Sequence, residues 1–289
     1  MSIIGSHQSI SGGLYKAVEI THSLGFDCVQ FFSKNSNQWK AKPIDPKEAD
    51  LFKAKLAELN ISHPLIHDSY LINLASPKDE LYQKSIDAFS DEVRRAAVLD
   101  VPMLVMHPGS YTESSEEEGL AKIAKGLDEV FEQNTNNQVM VLLETTAGQG
   151  TNLGSKFEHL RTVMDLCRFP ERLGVCFDTC HVFAAGYPLQ TPDEYAATMK
   201  DFEKIIGVKH LKAFHFNDSV KGLSSRVDRH AHIGQGTLGL EPFRHILNDK
   251  RFKKVPMYLE TPKGTTEIKG QTVDWDIVNL KTLKKLIAS

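Results

Sequence analysis

Cysteine is scarce in this 289-residue chain, and what there is excludes a disulfide framework. Cys28, Cys167, Cys176 and Cys180 lie in apolar segments without scaffold density, so a reduced setting is expected. Long apolar runs are missing as well. A stretch such as Met103-Leu-Val-Met106 falls far short of the roughly 20 residues that cross a bilayer, which leaves no membrane-spanning segment. The opening residues MSIIGSHQSI have no basic region followed by an apolar one, so no export signal is expected and the expected location is cytoplasmic. Nor is positive charge in excess: 34 Lys and Arg against 37 Asp and Glu give a formal net charge of −3, which by itself speaks against a nucleic-acid partner. Linkers, low-complexity segments and short-period repeats are absent. With 41% hydrophobic residues spread evenly, one domain over residues 1–289 can bury a single large core.

What is present is an alternation. Runs rich in apolar and β-branched residues recur at 3–7, 28–32, 61–67, 103–107, 139–144, 173–178, 211–216 and 255–260. Between them lie stretches with helical spacing, such as Leu14, Val18 and Leu24, or Ile86, Phe89, Val93 and Ala97. Asp45-Pro46 and Thr191-Pro192 read as an N-cap followed by proline at the first helical position. Eight strands alternating with helices predict an α/β fold, a closed parallel (β/α)8 TIM barrel; a doubly wound open sheet is the alternative.

The residues that close these runs carry the chemistry. Runs three to eight finish on His67, His107, Glu144, Asp178, His215 and Glu260, all metal-ligand types. A closed barrel gathers the carboxyl ends of its strands at one face, so residues nearly 200 positions apart converge. Three further ligand types stand just past the strands: His181 in the turn after Asp178, and Asp228 and His230, which share one side of an extended loop. Four acids and five imidazoles in one semi-buried place without a cation would be costly. Zinc takes about four ligands, so nine suit two or three ions better than one.

The stretch GVCFDTCH (174–181) contains two cysteines, yet three residues separate them. Haem attachment and redox pairs both use two. Cys176 is expected inside the barrel and Cys180 as a packed bystander, leaving Asp178 and His181 as the chemistry. His7 and His232 are expected to orient ligands rather than bind metal, and His22, His159, His210 and His245 to serve surface or packing roles.

The segments HPLIHDSYLINLAS (63–76), MHPGSY (106–111), LLETTAGQGTNLG (142–154), GVCFDTCHVFAAGYPL (174–189), FHFNDS (214–219), SRVDRHAHIGQGTLG (225–239) and YLETP (258–262) together resemble endonuclease IV, the metal-dependent apurinic/apyrimidinic endonuclease family of base-excision repair. The resemblance covers nearly the whole chain. It implies three zinc ions, with manganese an alternative at the third position. One would be held by His67, His107 and Glu144, a second by Glu144, Asp178, His215 and Glu260, and the third by His181, Asp228 and His230. Glu144 and Glu260 would be the central catalytic carboxylates, serving a zinc-activated hydroxide. The implied reaction is hydrolysis of the phosphodiester 5′ of an abasic site in double-stranded DNA, giving a 3′-hydroxyl, with removal of 3′-blocking groups. A monomer working at the nucleoid is expected. Three divalent ions would turn the net charge positive and focus it in the cleft.

DNA contacts are expected from Asn35, Asn37 and Gln38 beside Trp39, from Tyr70 and Leu71 as an apolar wedge, and from Gln149 and Arg229. Some relatives carry arginine where this chain has Asn37, so a guanidinium wedge is not expected there. The competing enzyme is a single-metal sugar isomerase or epimerase of the related barrel type, needing only Glu144, Asp178, His215 and Glu260. A non-catalytic metal-stabilised binding protein is the other class.

Overall fold

A computed structural model describes residues 2–288. Eight parallel strands close into a barrel: β1 (Ile4–His7), β2 (Cys28–Phe32), β3 (Ser62–His67), β4 (Met103–Met106), β5 (Met140–Glu144), β6 (Leu173–Asp178), β7 (Leu211–Phe216) and, after two short strands, β10 (Met257–Leu259). Strand order follows the chain, and β1 pairs with both β2 and β10. Helices cover the outside. Asp45 caps the helix Pro46–Glu58 by accepting the Lys47 N–H at 2.8 Å, and Thr191 and Glu194 form a reciprocal capping box at the start of Pro192–Ile205.

The predicted (β/α)8 barrel is the fold, with small shifts at strand ends. His107 and Glu260 stand one residue beyond β4 and β10 rather than inside them. Pro108 and Pro262 follow closely, and a residue without an N–H does not extend a ladder. His215 is the penultimate residue of β7, not its last. Two antiparallel pairs add to the eight expected strands: β8 (Asp218–Ser219) with β9 (His230–Ala231), and β11 (Thr265–Ile268) with β12 (Gln271–Asp274). The second pair turns at Lys269-Gly270, both at positive φ (51° and 77°), the conformation that tight hairpins need.

The barrel interior explains where the polar residues stand. Cys28, Leu65, Val105, Leu142, Cys176, Ala213 and Tyr258 form a fully buried ring inside it. Side chains two apart on a strand share a face. Adding two to each position gives Gln30, His67, His107, Glu144, Asp178, His215 and Glu260, the next layer towards the C-terminal mouth. On β1 the same step leads from Gly5 to His7. Gly5 pairs with Cys28 and Tyr258, and a Cβ there would overlap the Cys28 carbonyl oxygen, so only glycine fits there.

Candidate metal centre

Glu144, wholly buried at the end of β5, is the hub. Its Oε2 lies 3.2 Å from His67 Nε2 and 3.1 Å from His107 Nε2, and its Oε1 lies 2.8 Å from His215 Nδ1. Glu260 Oε2 approaches the same His215 nitrogen at 3.2 Å. Further across the mouth, His181 Nε2, His230 Nε2 and Asp228 Oδ1 form a triangle with edges of 3.3, 3.1 and 3.4 Å. A tetrahedral zinc with bonds of about 2.0–2.1 Å separates its ligand atoms by about 3.3 Å, so the triangle matches one face of such a site.

Asp178 links the two regions. Its carboxylate lies within 4.8 Å of the ligand atoms of His181 and His230 on one side and of Glu144, His215 and Glu260 on the other. The geometry therefore lets Asp178 reach the third set as well as the second. His181 is not in a turn leaving β6, as the sequence suggested. Asp178 caps the helix Thr179–Ala185 immediately, accepting the His181 N–H at 2.7 Å, which places His181 in the first helical turn.

The outer contacts fix which nitrogen of each imidazole faces inward. His67 Nδ1 is 2.9 Å from the Asp68 carbonyl, His181 Nδ1 is 2.9 Å from the Thr145 carbonyl, and His230 Nδ1 is 3.3 Å from the Glu260 carbonyl. Carbonyls only accept, so these nitrogens carry hydrogen and each Nε2 turns a lone pair towards the acids. His215 is reversed: Nε2 donates to Gln30 Oε1 at 2.7 Å, leaving Nδ1 to face Glu144 and Glu260. Sequence reasoning missed Gln30, Asn217 and Thr145. Gln30 Nε2 also donates to Glu260 Oε1, and Asn217 Nδ2 donates to Asp178 Oδ2 at 2.7 Å. The signal for Gln30 was its place in the apolar run CVQFF.

Lone pairs pointed at carboxylates demand positive charge, either as protons or as cations. Burial works against charging His67, yet Glu144, then Glu260 and Asp68, raise its pKa to about 10. Burial likewise opposes charge on His181 and His215, and the surrounding acids outweigh it, raising both. Glu144 and Glu260 are held low against burial chiefly by His215. Ligating imidazoles must be neutral, so zinc added to chelator-stripped protein at pH 7 should displace these protons. Titration calorimetry in buffers of different ionisation enthalpy should report net proton release; heats independent of the buffer would contradict it.

The remaining predicted residues divide. Tyr70 is exposed and stands over His67 and His107, with ring centroids 5.6 and 6.2 Å away, while Leu71 beside it is half-buried. Asn35, Asn37 and Gln38 are exposed on the loop after β2. Gln149 is exposed, and its Oε1 accepts the Asp228 N–H at 3.2 Å and so steadies a member of the third set. Exposed Arg229 folds back on the Asp228 carbonyl at 2.6 Å. His7 stands beside the site, its Nδ1 4.0 Å from Glu260 Oε1 and 3.0 Å from Gln30 Nε2. His232 does not: its ring stacks on Trp275 at 3.8 Å and its Nδ1 meets Asn279. Cys176 lies inside the barrel and Cys180 is buried under the Arg229 carbonyl.

His67, His107, His181, Asp228, His230 and Glu260 line an open cavity of about 390 Å³, with Tyr70, Arg229 and Pro262 at its rim. A larger groove of about 730 Å³ beside Trp39 and Lys84 gathers no such ligand set, so the smaller cavity is the candidate site.

Comparison with known proteins agrees with this arrangement. The family described as xylose isomerase-like TIM barrel matches residues 18–280. The probable endonuclease 4 of Trichlorobacter lovleyi is 51% identical over 98% of this chain and 99% of its own. Its counterpart in Chloroflexus aurantiacus is 49% identical over 99% of both. Among solved structures, endonuclease IV from Thermus thermophilus superposes with a TM-score of 0.85 at 32% identity, covering 98% of each chain. A D-tagatose 3-epimerase-like protein shares the fold, with a TM-score of 0.73 at 19% identity over 99% of this chain and 97% of that one. Sequence, barrel and site thus converge: the chain belongs to the endonuclease IV family within the xylose isomerase-like TIM barrels.

Proposed function

We propose that this protein is a metal-dependent apurinic/apyrimidinic endonuclease acting on nucleoid DNA in the cytoplasm. It hydrolyses the phosphodiester 5′ of an abasic deoxyribose in duplex DNA, leaves a 3′-hydroxyl, and clears 3′-blocking phosphate or sugar fragments. The observation that carries this reading is the triangle of His181, Asp228 and His230, spaced as ligands of one small ion and joined to the Glu144 sets through Asp178. His67, His107 and Glu144 would hold one zinc, Asp178, His215 and Glu260 a second with Glu144 between them, and the triangle a third, which manganese could also occupy. Zinc there would supply a water acidic enough to be a nucleophile near pH 7 and would neutralise phosphate charge.

The chain's own residues do the rest. The carbonyls of Asp68, Thr145 and Glu260 and the Gln30 amide lock the ligand imidazoles in one tautomer, so the site needs no rearrangement at each turnover. Tyr70, exposed above His67 and His107, can occupy the gap left by a missing base. Asn35, Asn37 and Gln38 can meet the flanking backbone. An abasic nucleotide lacks stacking and pairing, so turning it into the cavity costs less than extruding an intact one.

A sugar isomerase would need only Glu144, Asp178, His215 and Glu260, leaving five converging ligand types without a use. A duplex containing one tetrahydrofuran abasic mimic tests the choice. Incision should be lost with chelator and restored by zinc, with about three zinc per chain by elemental analysis. An intact duplex after incubation with fully loaded protein would sink the proposal, and a single manganese or magnesium per chain would favour the isomerase.

A further inference from the structure

The loop after β2, residues 33–42, has no regular secondary structure and carries Asn35, Asn37, Gln38 and Trp39. Its two ends are joined through one buried guanidinium. Arg95, on the helix Asp79–Val98, donates from Nε to Ser33 Oγ at 2.9 Å and from Nη2 to the Ser33 carbonyl at 2.6 Å. Its Nη1 donates to the Lys42 carbonyl at 2.9 Å. Ser33 Oγ in turn donates to Glu92 Oε2 at 2.6 Å, and the other oxygen of Glu92 faces Lys34 Nζ at 2.9 Å. Arg95 is 8% exposed, Lys34 4% and Glu92 1%, so the whole arrangement is desolvated beneath the loop.

Polar groups buried this deeply stabilise only when they are paired. Here Arg95 is paired to the loop's own backbone at both ends, and Glu92 is paired to the Ser33 hydroxyl and the Lys34 ammonium. The middle of the loop is tied once more, where Ser69 Oγ donates to the Ser36 carbonyl at 2.6 Å, beside Tyr70. Ordering a free backbone costs about 1–2 kcal/mol per residue, and a loop fixed before encounter avoids that cost when a partner docks. We infer that Arg95 is a positioning residue that clamps residues 33–42 in the shape that receives duplex DNA; this rests on the DNA reading proposed above. Arg95 touches none of the nine ligand residues, so its effect falls on binding rather than on the chemical step.

The test uses zinc-loaded full-length protein carrying Arg95→Met or Arg95→Lys. Both variants should raise KM for the abasic duplex about tenfold while kcat stays within about twofold, because a pre-ordered loop aids ground and transition states alike. Lysine should not rescue, since a single ammonium cannot satisfy three acceptors in fork geometry. Zinc content should be unchanged. Amide hydrogen exchange over residues 34–42 should quicken while the barrel strands stay protected. Unchanged KM and exchange would reduce Arg95 to a packing residue, and a parallel loss of kcat and zinc would place its effect in the metal centre; either result overturns the inference. Should Arg95→Met fail to fold, Ser33→Ala removes only the hydroxyl link to Arg95 and Glu92, and unchanged loop exchange there overturns it equally. If the wild-type chain cuts no abasic duplex, the function proposal fails, while the exchange measurement still decides the clamp.

Discussion

Glu260→Gln should abolish incision of an abasic duplex while leaving the barrel folded. Glutamine keeps the volume and removes the charge at a site where charge is the point. Glu260 lies at the mouth, its Oε2 3.2 Å from His215 Nδ1 and its Oε1 accepting from Gln30. With glutamine, one oxygen becomes an amide donor. Turned towards Gln30 it opposes another amide donor, and turned towards His215 it donates to the Nδ1 lone pair and occupies it; in either case the second ion loses an anionic ligand. Removing a group of this kind should lower kcat/KM by at least about 10³-fold, equivalent to about 4 kcal/mol of transition-state stabilisation. Zinc content should fall by part of one equivalent. Fold integrity is expected because Glu260 stands beyond the end of β10, outside the apolar ring of Tyr258 and its neighbours. Far-ultraviolet circular dichroism and a melting curve check the second half of the prediction; incision at the wild-type rate would remove Glu260 from the mechanism.

The part of this site that was legible in the sequence is the part built on strands. Alternation on a strand is strict, so the residue two beyond each buried interior position must face the mouth, and metal-ligand residue types mark it. Gln30 obeys the same rule and was passed over because an amide is not a ligand type, although it orients both His215 and Glu260. Asp228 and His230 were legible for a different reason, their spacing of two in an extended segment, which the 3.4 Å between their ligand atoms reflects. What could not be read were contacts between distant loops. Nothing local to Gln149 says that its side chain will accept from the Asp228 backbone, and nothing local to Arg95 says that it will bridge Ser33 to Lys42. The hairpin Thr265 to Asp274 did carry a signal, Lys269-Gly270 between short β-prone runs, but one too brief to separate from a loop.

The second large effect is expected from Asp218, a residue with no contact to the ligand set. Asp218 is fully buried, and its carboxylate accepts five backbone N–H groups. Oδ1 takes those of Ser219, Leu238 and Gly239 at 2.7, 3.0 and 3.3 Å, and Oδ2 takes those of Gly234 and Gly236 at 2.9 and 3.0 Å. Burial pushes its pKa up, and the N–H donors, Gly236 and Ser219 foremost, pull against that rise. The approach is so close that a Cβ on Gly236 would overlap Oδ1, which is why glycine stands there. This cradle folds residues 234–239 back onto β8, and β8 pairs with the strand that presents His230. Asp218→Ala leaves all five donors without an acceptor. At about 1–3 kcal/mol for each buried donor, and with the loop free to relax and rehydrate some of them, a net loss of about 3–5 kcal/mol is expected. For a chain of this size that lowers the melting temperature by about 10 °C. Asp218→Asn should recover little, because its NH2 group would face N–H donors. The third set, His181 with Asp228 and His230, should then lose its ion first, while the Glu144 sets keep theirs, so zinc should drop from about three to about two per chain. Calorimetry with elemental analysis of the same preparation checks both consequences. A melting temperature within about 1 °C of wild type would show that the five hydrogen bonds do not hold this loop.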